Sequence, residues 1–332
     1  MIISKTPFRV SLFGGGSDFP EWYRNHGGSV IGTTIDKYCY ISVRILPPFF
    51  EHKHRIVYGE TELVQKIKDI KHPSVQACLE RFGEAEGFEI HHDGDLPARS
   101  GLGSSSSFTV GLINALNALK GARISKEDLA LSAINIEQNV LKEAVGSQDQ
   151  VWAAYGGFNR IDFGTKSGKE FNVRPVYTSG DRLDLLNQHL LLFFTGQNRT
   201  ASEIEKDKIS HINENTLSYE KLRDMVGHAQ EILDNDRCDL TEIGLMMNES
   251  WHIKKGLSKH VSNTLMDTYY SAGLSAGALG GKLLGAGGGG FMLFFAPPDC
   301  HSVIKKRLKP LIHVDFKFET EGSQIIVYEP LK

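Results

Sequence analysis

The apolar positions along the 332-residue chain change period several times, and each change marks an element. Phe108, Leu112, Ala115, Leu116 and Leu119 recur at the i, i+3, i+4, i+7 spacing of a helix buried along one face, and Gly121 stands where a C-terminal cap belongs. Leu129, Ala133, Ile136 and Val140 repeat the pattern, and Ser125-Lys-Glu-Asp128 is a capping-box variant that predicts a second helix running to about Ala144. Upstream the period shortens. Ile2 to Phe13 reads as a strand interrupted at Pro7, an edge or bulge position. Ser29 to Leu46, rich in Val, Ile, Thr and Tyr, predicts one long strand or two consecutive ones with Asp36-Lys37 at the break. Helices are expected over Glu62 to Lys71 and Ser74 to Glu86, and a strand over Phe88 to Asp93. Strands first and helices afterwards is an α+β order, not the strict alternation of a Rossmann domain.

In the second half, the polar, turn-prone stretch Ser179 to Asp184 predicts a boundary between residues 1–180 and 181–332. A strand at His189 to Phe194 precedes helical segments near Ser202–Ile212, Asn215–Asn235, Leu240–Leu257 and Val261–Ala272, expected as a layer over a second sheet. A short helix from Pro298 to Leu311 and strands at His313–Phe318 and Gln324–Tyr328 close the chain.

Composition narrows the function. With 40% apolar and 23% charged residues the chain is ordinary globular protein with enough length for two domains. A formal charge of −3 argues against nucleic acid or an anionic membrane as partner. Lys305-Lys306-Arg307 is the densest basic run and reads as a solvated helix face. Cys39, Cys78, Cys238 and Cys300 are dispersed with no Cys-x-x-Cys pair, which fits reduced thiols and a cytoplasmic location and offers no zinc site.

The chemistry concentrates in Pro97 to Ser107, a glycine and serine loop running straight into the first predicted helix. A helix start leaves backbone N–H groups without partners and carries partial positive charge, so a loop free of bulky side chains lets a phosphate approach the backbone. One serine would suffice as a cap; four consecutive serines after Gly101-Leu102-Gly103 exceed that need, and spare hydroxyls can hold the metal that accompanies a phosphate. No Walker A pattern occurs in the chain. Gly285, Gly287 and Gly290 match Gly-x-Gly-x-x-Gly formally, but a strand is predicted after them where a dinucleotide site requires a helix.

Pro97-x-x-x-Gly101-Leu102-Gly103-Ser104-Ser105 resembles the phosphate loop of the GHMP kinases. Arg9-Val-Ser-Leu-Phe-Gly-Gly-Gly-Ser17-Asp18 resembles that family's first motif, in the form found in its sugar kinases acting on heptose 7-phosphate and fucose. Lys282-x-x-Gly-Ala-Gly287-Gly288-Gly289-Gly290-Phe291 resembles its third motif, and Glu137 with Gly146-Ser-Gln-Asp149-Gln150 resembles its internal acidic block. The resemblance implies a two-domain α+β fold with the active site in the cleft between domains, and ATP and Mg²⁺ as cofactors. It implies Asp149 as base, with Arg9 near the transferring phosphoryl group. Nucleotide phosphates would lie on Gly101, Leu102, Gly103, Ser104, Ser105 and Ser106, and the metal on Glu137 and Ser105, with Ser104 and Ser106 as alternatives. The sugar would be gripped by Gly15, Gly16, Ser17 and Asp18, and the Gly156-Gly157 strand would lie near the substrate or close the first domain. The loop Gly287, Gly288 and Gly289 would pack against the phosphate loop. The implied reaction is phosphorylation of the anomeric oxygen of a heptose 7-phosphate on the way to nucleotide-activated heptose; the alternatives are a kinase of an unphosphorylated sugar such as fucose, or a silent ATP and sugar sensor. Arg24, Lys37, Arg44, Arg99 and Arg199 are candidates for holding a sugar phosphate. The expected partners are small molecules, and the sequence leaves a homodimer open.

Overall fold

Two sheets, a mixed one and an antiparallel one, each backed by helices, organise the computed structural model, which describes residues 1–83, 86–164, 168–196 and 201–329. The first sheet grows from β1 (Ile2–Phe13) and β2 (Gly28–Ile45), paired antiparallel along most of their length. Pro7 does sit at an irregularity: the register jumps from Pro7 opposite Tyr38 to Phe8 opposite Ile35, so Asp36 and Lys37 bulge out while β2 continues as one strand. A proline has no N–H to donate, and a bulge is where a sheet tolerates that.

Residues expected as a helix at Glu62–Lys71 instead begin with a hairpin, β3 (His54–Val57) with β4 (Thr61–Val64), followed by one 3₁₀ turn at Ile67–Asp69. The reason lies with Glu62, which is buried and accepts hydrogen bonds from Tyr58 Oη and from the Lys71 and His72 N–H groups, a set that strand geometry makes available. β5 (Phe88–Gly94) pairs with the C-terminal half of β2 and lies parallel to β3; β6 (Phe158–Phe163) pairs with the N-terminal half of β2 and carries β7 (Phe171–Pro175). The second sheet has the order β11-β8-β10-β9, made of β8 (Leu190–Phe194), β9 (Gly280–Leu283), β10 (Phe291–Phe295) and β11 (Ile312–Val314). The last strands, β12 (Phe318–Glu319) and β13 (Gln324–Tyr328), return to the first sheet and pair with β2 and β1.

The helices are α1 (Pro20–His26), α2 (Pro73–Phe82), α3 (Ser104–Leu119), α4 (Lys126–Ile134), α5 (Gln148–Tyr155), α6 (Gly180–Gln188), α7 (Ala201–Ser210), α8 (Thr216–Asp234), α9 (Thr241–Gly256), α10 (Thr264–Ser275) and α11 (His301–Arg307). α3 is buried nearly all round, packed between β1 and β2 on one side and α2, α4 and α5 on the other. The helix expected to reach Ala144 is α-helical only to Ile134. It widens into a π-helical turn at Asn135–Val140, and Lys142 then takes a positive φ. Such wide turns re-aim a side chain, and the side chain here is Glu137. α8 lies against β1 and β2 of the first sheet, and α9 joins α8 to β9 and β10. A second, smaller core of Phe193, Trp251, Tyr270, Met292 and Phe294 holds the second sheet to its helices. Among the described residues no helix is long and apolar enough to cross a membrane.

Candidate active site

α3 begins at Ser104, and the loop before it folds as tightly as its glycines allow. Gly101 and Gly103 have φ of 88° and 77°, and a Cβ on Gly101 would lie 2.5 Å from the Leu284 carbonyl oxygen. The loop is tied to β1 by a hydrogen bond from Arg9 N–H to Leu102 O at 3.0 Å. Ser104 Oγ accepts from the Arg99 N–H, Ser106 Oγ donates to Glu137 Oε2 at 2.8 Å, and Ser107 Oγ donates to Pro7 O. The unpartnered N–H groups of a 16-residue buried helix therefore open onto a cavity of about 490 Å³, lined by Gly101, Gly103, Ser104, Ser105 and Ser106 among others.

Asp149 lies in the first turn of α5, beside the same opening. Arg9, buried on β1, clamps its carboxylate in two places, Nε to Oδ1 at 2.7 Å and Nη2 to Oδ2 at 2.6 Å. The third donor, Nη1, goes to Gly101 O at 2.7 Å, so one guanidinium fixes both the acid and the phosphate loop. A Cβ on Gly103 would stand 3.2 Å from Arg9 Cγ and 3.4 Å from Asp149 Oδ2.

Asp18 is held differently. It is 1% exposed and accepts from the Gly16 N–H at 2.8 Å and the Gln148 N–H at 3.3 Å, with no cation beside it. Burial pushes its carboxyl up to about 6, against the lowering effect of those N–H donors. Space is made for it by Gly146, where a Cβ would fall 1.9 Å from Asp18 Oδ2. Glu137, in the π-helical turn, is also buried and pushed up, to about 7, with the Ser106 and Gln150 donors on Oε2 opposing the shift. Its Oε1 is buried without a hydrogen-bond partner. A buried anionic oxygen left over beside a serine hydroxyl fits a hard divalent cation that also takes phosphate oxygens and water. The described residues contain no cluster of three His, Cys, Asp or Glu side chains that would cage a metal alone, so Glu137 and serine fit Mg²⁺ only together with a bound phosphate.

The structure brings together most of the residues singled out from sequence. Arg9, Gly15, Gly16, Asp18, Gly101, Gly103, Ser104, Ser105, Ser106, Glu137 and Asp149 all line one cavity. Leu102 and Ser17 lie just behind it, Leu102 through its carbonyl and Ser17 through hydrogen bonds with Ser29. The hydroxyl on Glu137 belongs to Ser106, while Ser105 lines the cavity as a more exposed residue without a bond to Glu137. Gly156 and Gly157 do not line the cavity. A Cβ on Gly156 would lie 2.0 Å from the Glu321 carbonyl carbon, so this pair admits the returning C-terminal segment rather than a ligand. Gly287 packs on Val261 and the Gly288 N–H donates to Val261 O, while the cavity wall is formed earlier, by Leu284, Gly285 and Ala286. The loop nevertheless braces the phosphate loop: Phe291 N–H donates to Ser100 O, and Gly290 and Gly285 crowd Ser100 and Gly101.

Of the basic candidates, Arg99 lines the cavity. Arg44 pairs with Glu89 and Lys37 with Asp36, Arg24 sits on the exposed side of α1, and Arg199 lies outside the described residues. Of the cations the sequence did not single out for this role, Lys208 on α7, Lys254 on α9 and Lys282 on β9 are buried at the cavity, and Lys142 and Lys206 line it as exposed residues. Lys208 pairs with Glu205 at 2.6 Å. Lys254 Nζ donates to Leu283 O and Gly285 O, and Lys282 Nζ donates to Leu12 O at 2.9 Å. Burial and then neighbouring cations push Lys282 down to about 7 and hold Lys254 well below the ordinary lysine range. Only Lys282 had a local signal, a charge set among glycines and apolar residues.

A helix start open to an anion, an acid clamped by arginine and a second, buried acid suit a phosphotransferase cleft. Residues 67–157 match the GHMP kinases N terminal domain and residues 234–306 the GHMP kinases C terminal domain. The chain therefore carries a GHMP kinase N-terminal domain followed by a GHMP kinase C-terminal domain. It is 29% identical to D-glycero-alpha-D-manno-heptose 7-phosphate kinase of Campylobacter jejuni, with 97% of each chain covered. It is 26% identical to the bifunctional fucokinase/GDP-fucose pyrophosphorylase of Arabidopsis thaliana, spanning 97% of this chain but 32% of that longer protein. The fold is shared with the crystal structure of a D-glycero-D-manno-heptose 1-phosphate kinase from Bacteroides thetaiotaomicron, at a TM-score of 0.79, 23% identity and coverage of 99% and 100% of the two chains. It is shared also with Lactococcus lactis galactokinase, at a TM-score of 0.72, 18% identity and coverage of 97% and 94%.

Proposed function

We propose that this ATP-dependent sugar kinase phosphorylates the anomeric hydroxyl of D-glycero-D-manno-heptose 7-phosphate, a step toward nucleotide-activated heptose. The observation that carries the chemistry is the Asp149 carboxylate, fixed by Arg9 beside the start of α3. In this reading the sugar hydroxyl oxygen attacks the γ-phosphorus of ATP, the bond to the β,γ-bridging oxygen breaks, ADP leaves, and the hydroxyl proton passes to Asp149. Arg9 keeps the base aimed, and the α3 N–H groups meet the charge that builds on the phosphoryl oxygens. Asp18, with its two backbone donors, offers acceptor lone pairs to the sugar hydroxyls. Glu137 and Ser106, with Ser105 next along the turn, would hold Mg²⁺, which when bound neutralises part of the triphosphate charge.

The phosphorylated acceptor is supported by the Campylobacter relative and by the charge of the cavity, whose lining carries seven basic side chains against five carboxylates. A fucose-type acceptor is the second reading, supported by the Arabidopsis relative. Turnover on the heptose 7-phosphate and on fucose, with phosphorus NMR locating the new ester, tests the assignment. The expected result is a phosphate on the anomeric oxygen of the heptose 7-phosphate; turnover confined to fucose would replace the acceptor. Binding of a broad sugar panel without ADP release would return the silent-sensor reading.

A further inference from the structure

The reaction just outlined uses Arg9 and leaves three buried lysines unexplained. Arg9 is matched by Asp149 and Lys208 by Glu205, whereas Lys254 and Lys282 donate to backbone carbonyls. Ammonium groups kept out of water without a full set of counter-charges are costly, and a cluster of them at a cavity is best relieved by an anionic ligand. Lys208 is the member of the cluster next to the sugar loop, while Lys254 and Lys282 reach toward Arg9 and the α3 end, Lys254 Nζ donating to Gly285 O beside Gly101. That end has its own basic groups in Arg99 and Lys142. Lys208 Nζ lies 5.6 Å from the ring of Phe19, the residue after Asp18. Tyr219, which lies next to Gly16, packs α8 against the same sugar loop and donates to the Lys208 carbonyl. Lys254 and Lys282 are near enough to Lys208 for their charges to be felt there.

We propose that Lys208, backed by Lys254 and Lys282, receives a phosphate carried by the acceptor itself, and so makes the enzyme prefer a sugar phosphate to the free sugar. This rests on the kinase reading of the cleft and adds the residue that selects the acceptor. Glu205 holds the Lys208 ammonium until a phosphate takes its place. Lys208 touches the acceptor far from the transferred group, so its loss weakens acceptor binding and leaves the chemistry of Asp149 in place.

The test compares the full-length wild type with Lys208→Met and Lys208→Arg. At saturating ATP and magnesium, Lys208→Met is expected to lower kcat/KM for the heptose 7-phosphate about 10- to 100-fold, chiefly through KM, the range for a hydrogen bond to a charged group. For the unphosphorylated heptose the change is expected to stay within about 3-fold, and Lys208→Arg should recover most of the loss. An equal fall for both sugars would make Lys208 a structural residue and overturn the proposal. A second measurement separates this from the choice of sugar: calorimetric binding of inorganic phosphate with a non-hydrolysable ATP analogue already seated. Wild-type binding that weakens at least about 10-fold in Lys208→Met supports the receptor even if heptose 7-phosphate proves not to be the substrate. Phosphate binding unchanged by the substitution, or abolished by the analogue, overturns it, the latter because the lysines would then serve the nucleotide.

Discussion

Asp149 and Asp18 face one cavity across a few residues, yet they are held by opposite means. Asp149 has a guanidinium on both oxygens, and Asp18 has two backbone N–H groups and no cation. Glu137 belongs with Asp18, buried and held by neutral donors, with one oxygen left over. The difference separates tasks. A carboxylate locked by arginine is aimed before any ligand arrives, whereas carboxylates supported only by dipoles are left to be completed by what binds; under the proposed reaction these would be sugar hydroxyls at Asp18 and a cation at Glu137.

Substitutions at each acid break that comparison in order of size. Asp149→Asn leaves the shape and removes the proton acceptor, so turnover is expected to fall about 10²- to 10⁴-fold with ATP binding nearly intact. Wild-type turnover in that variant would remove Asp149 from the reaction. Gly146→Ala places a methyl where Asp18 Oδ2 now sits, and the displaced carboxylate should lower kcat/KM for the sugar by about 10²-fold, with KM for ATP little changed. An unaltered sugar KM would mean that Asp18 does not touch the acceptor. Glu137→Gln should raise the magnesium concentration needed for half-maximal rate roughly 10-fold. The same variant should melt higher than wild type at pH 8 without ligands, because it removes a buried charge. A lower melting point would argue that Glu137 is a structural acid.

The smallest effect is read from pH. Asp18 and Glu137 keep protons to about 6 and about 7, so the folded protein holds protons that the unfolded chain has already released, and stability falls as pH rises through that window. Lys282 behaves in the opposite sense. Folded, it gives up its proton near 7, while the unfolded chain keeps it to the ordinary lysine range, so stability recovers as pH climbs above 7. The ligand-free enzyme is therefore expected to show a shallow minimum in melting temperature near pH 7, filled in by ATP, magnesium and sugar phosphate together. Glu137→Gln should flatten the acid side of that minimum. A wild-type profile without a minimum between pH 5 and 9 would count against all three shifts.

Much of this site was legible in the chain because its chemistry is local. The loop from Gly101 to Ser106 and the helix after it are continuous, and their register follows from glycine and the apolar period alone. Asp149 and Glu137 came from motif resemblance; nothing in their own neighbourhoods separates them from boundary acids, and the π-helical turn that aims Glu137 has no signature in the apolar spacing. The misreadings share a physical source, which is contact between distant segments. Gly156 and Gly157 read either as a substrate approach or as the close of the first domain, and the backbone they admit arrives from residues 320–322. Residues 62–71 looked helical until the buried acceptor set of Glu62 is known. Lys208 and Lys254 were invisible because a lysine on an amphipathic helix ordinarily lies in solvent, and only the packing of α7 and α9 over the cavity buries them.

The return of β12 and β13 to the first sheet also bears on how the chain is made. Until residues 318–328 leave the ribosome, β1 lacks its outer neighbour along Ile2–Lys5, and Gly156 faces an unfilled groove, so the domain that bears the phosphate loop is synthesised early and finished late. Nascent chains held short of β12 should expose that strand edge to chaperones, and the nucleotide pocket should gain its final rigidity only when the last strands dock.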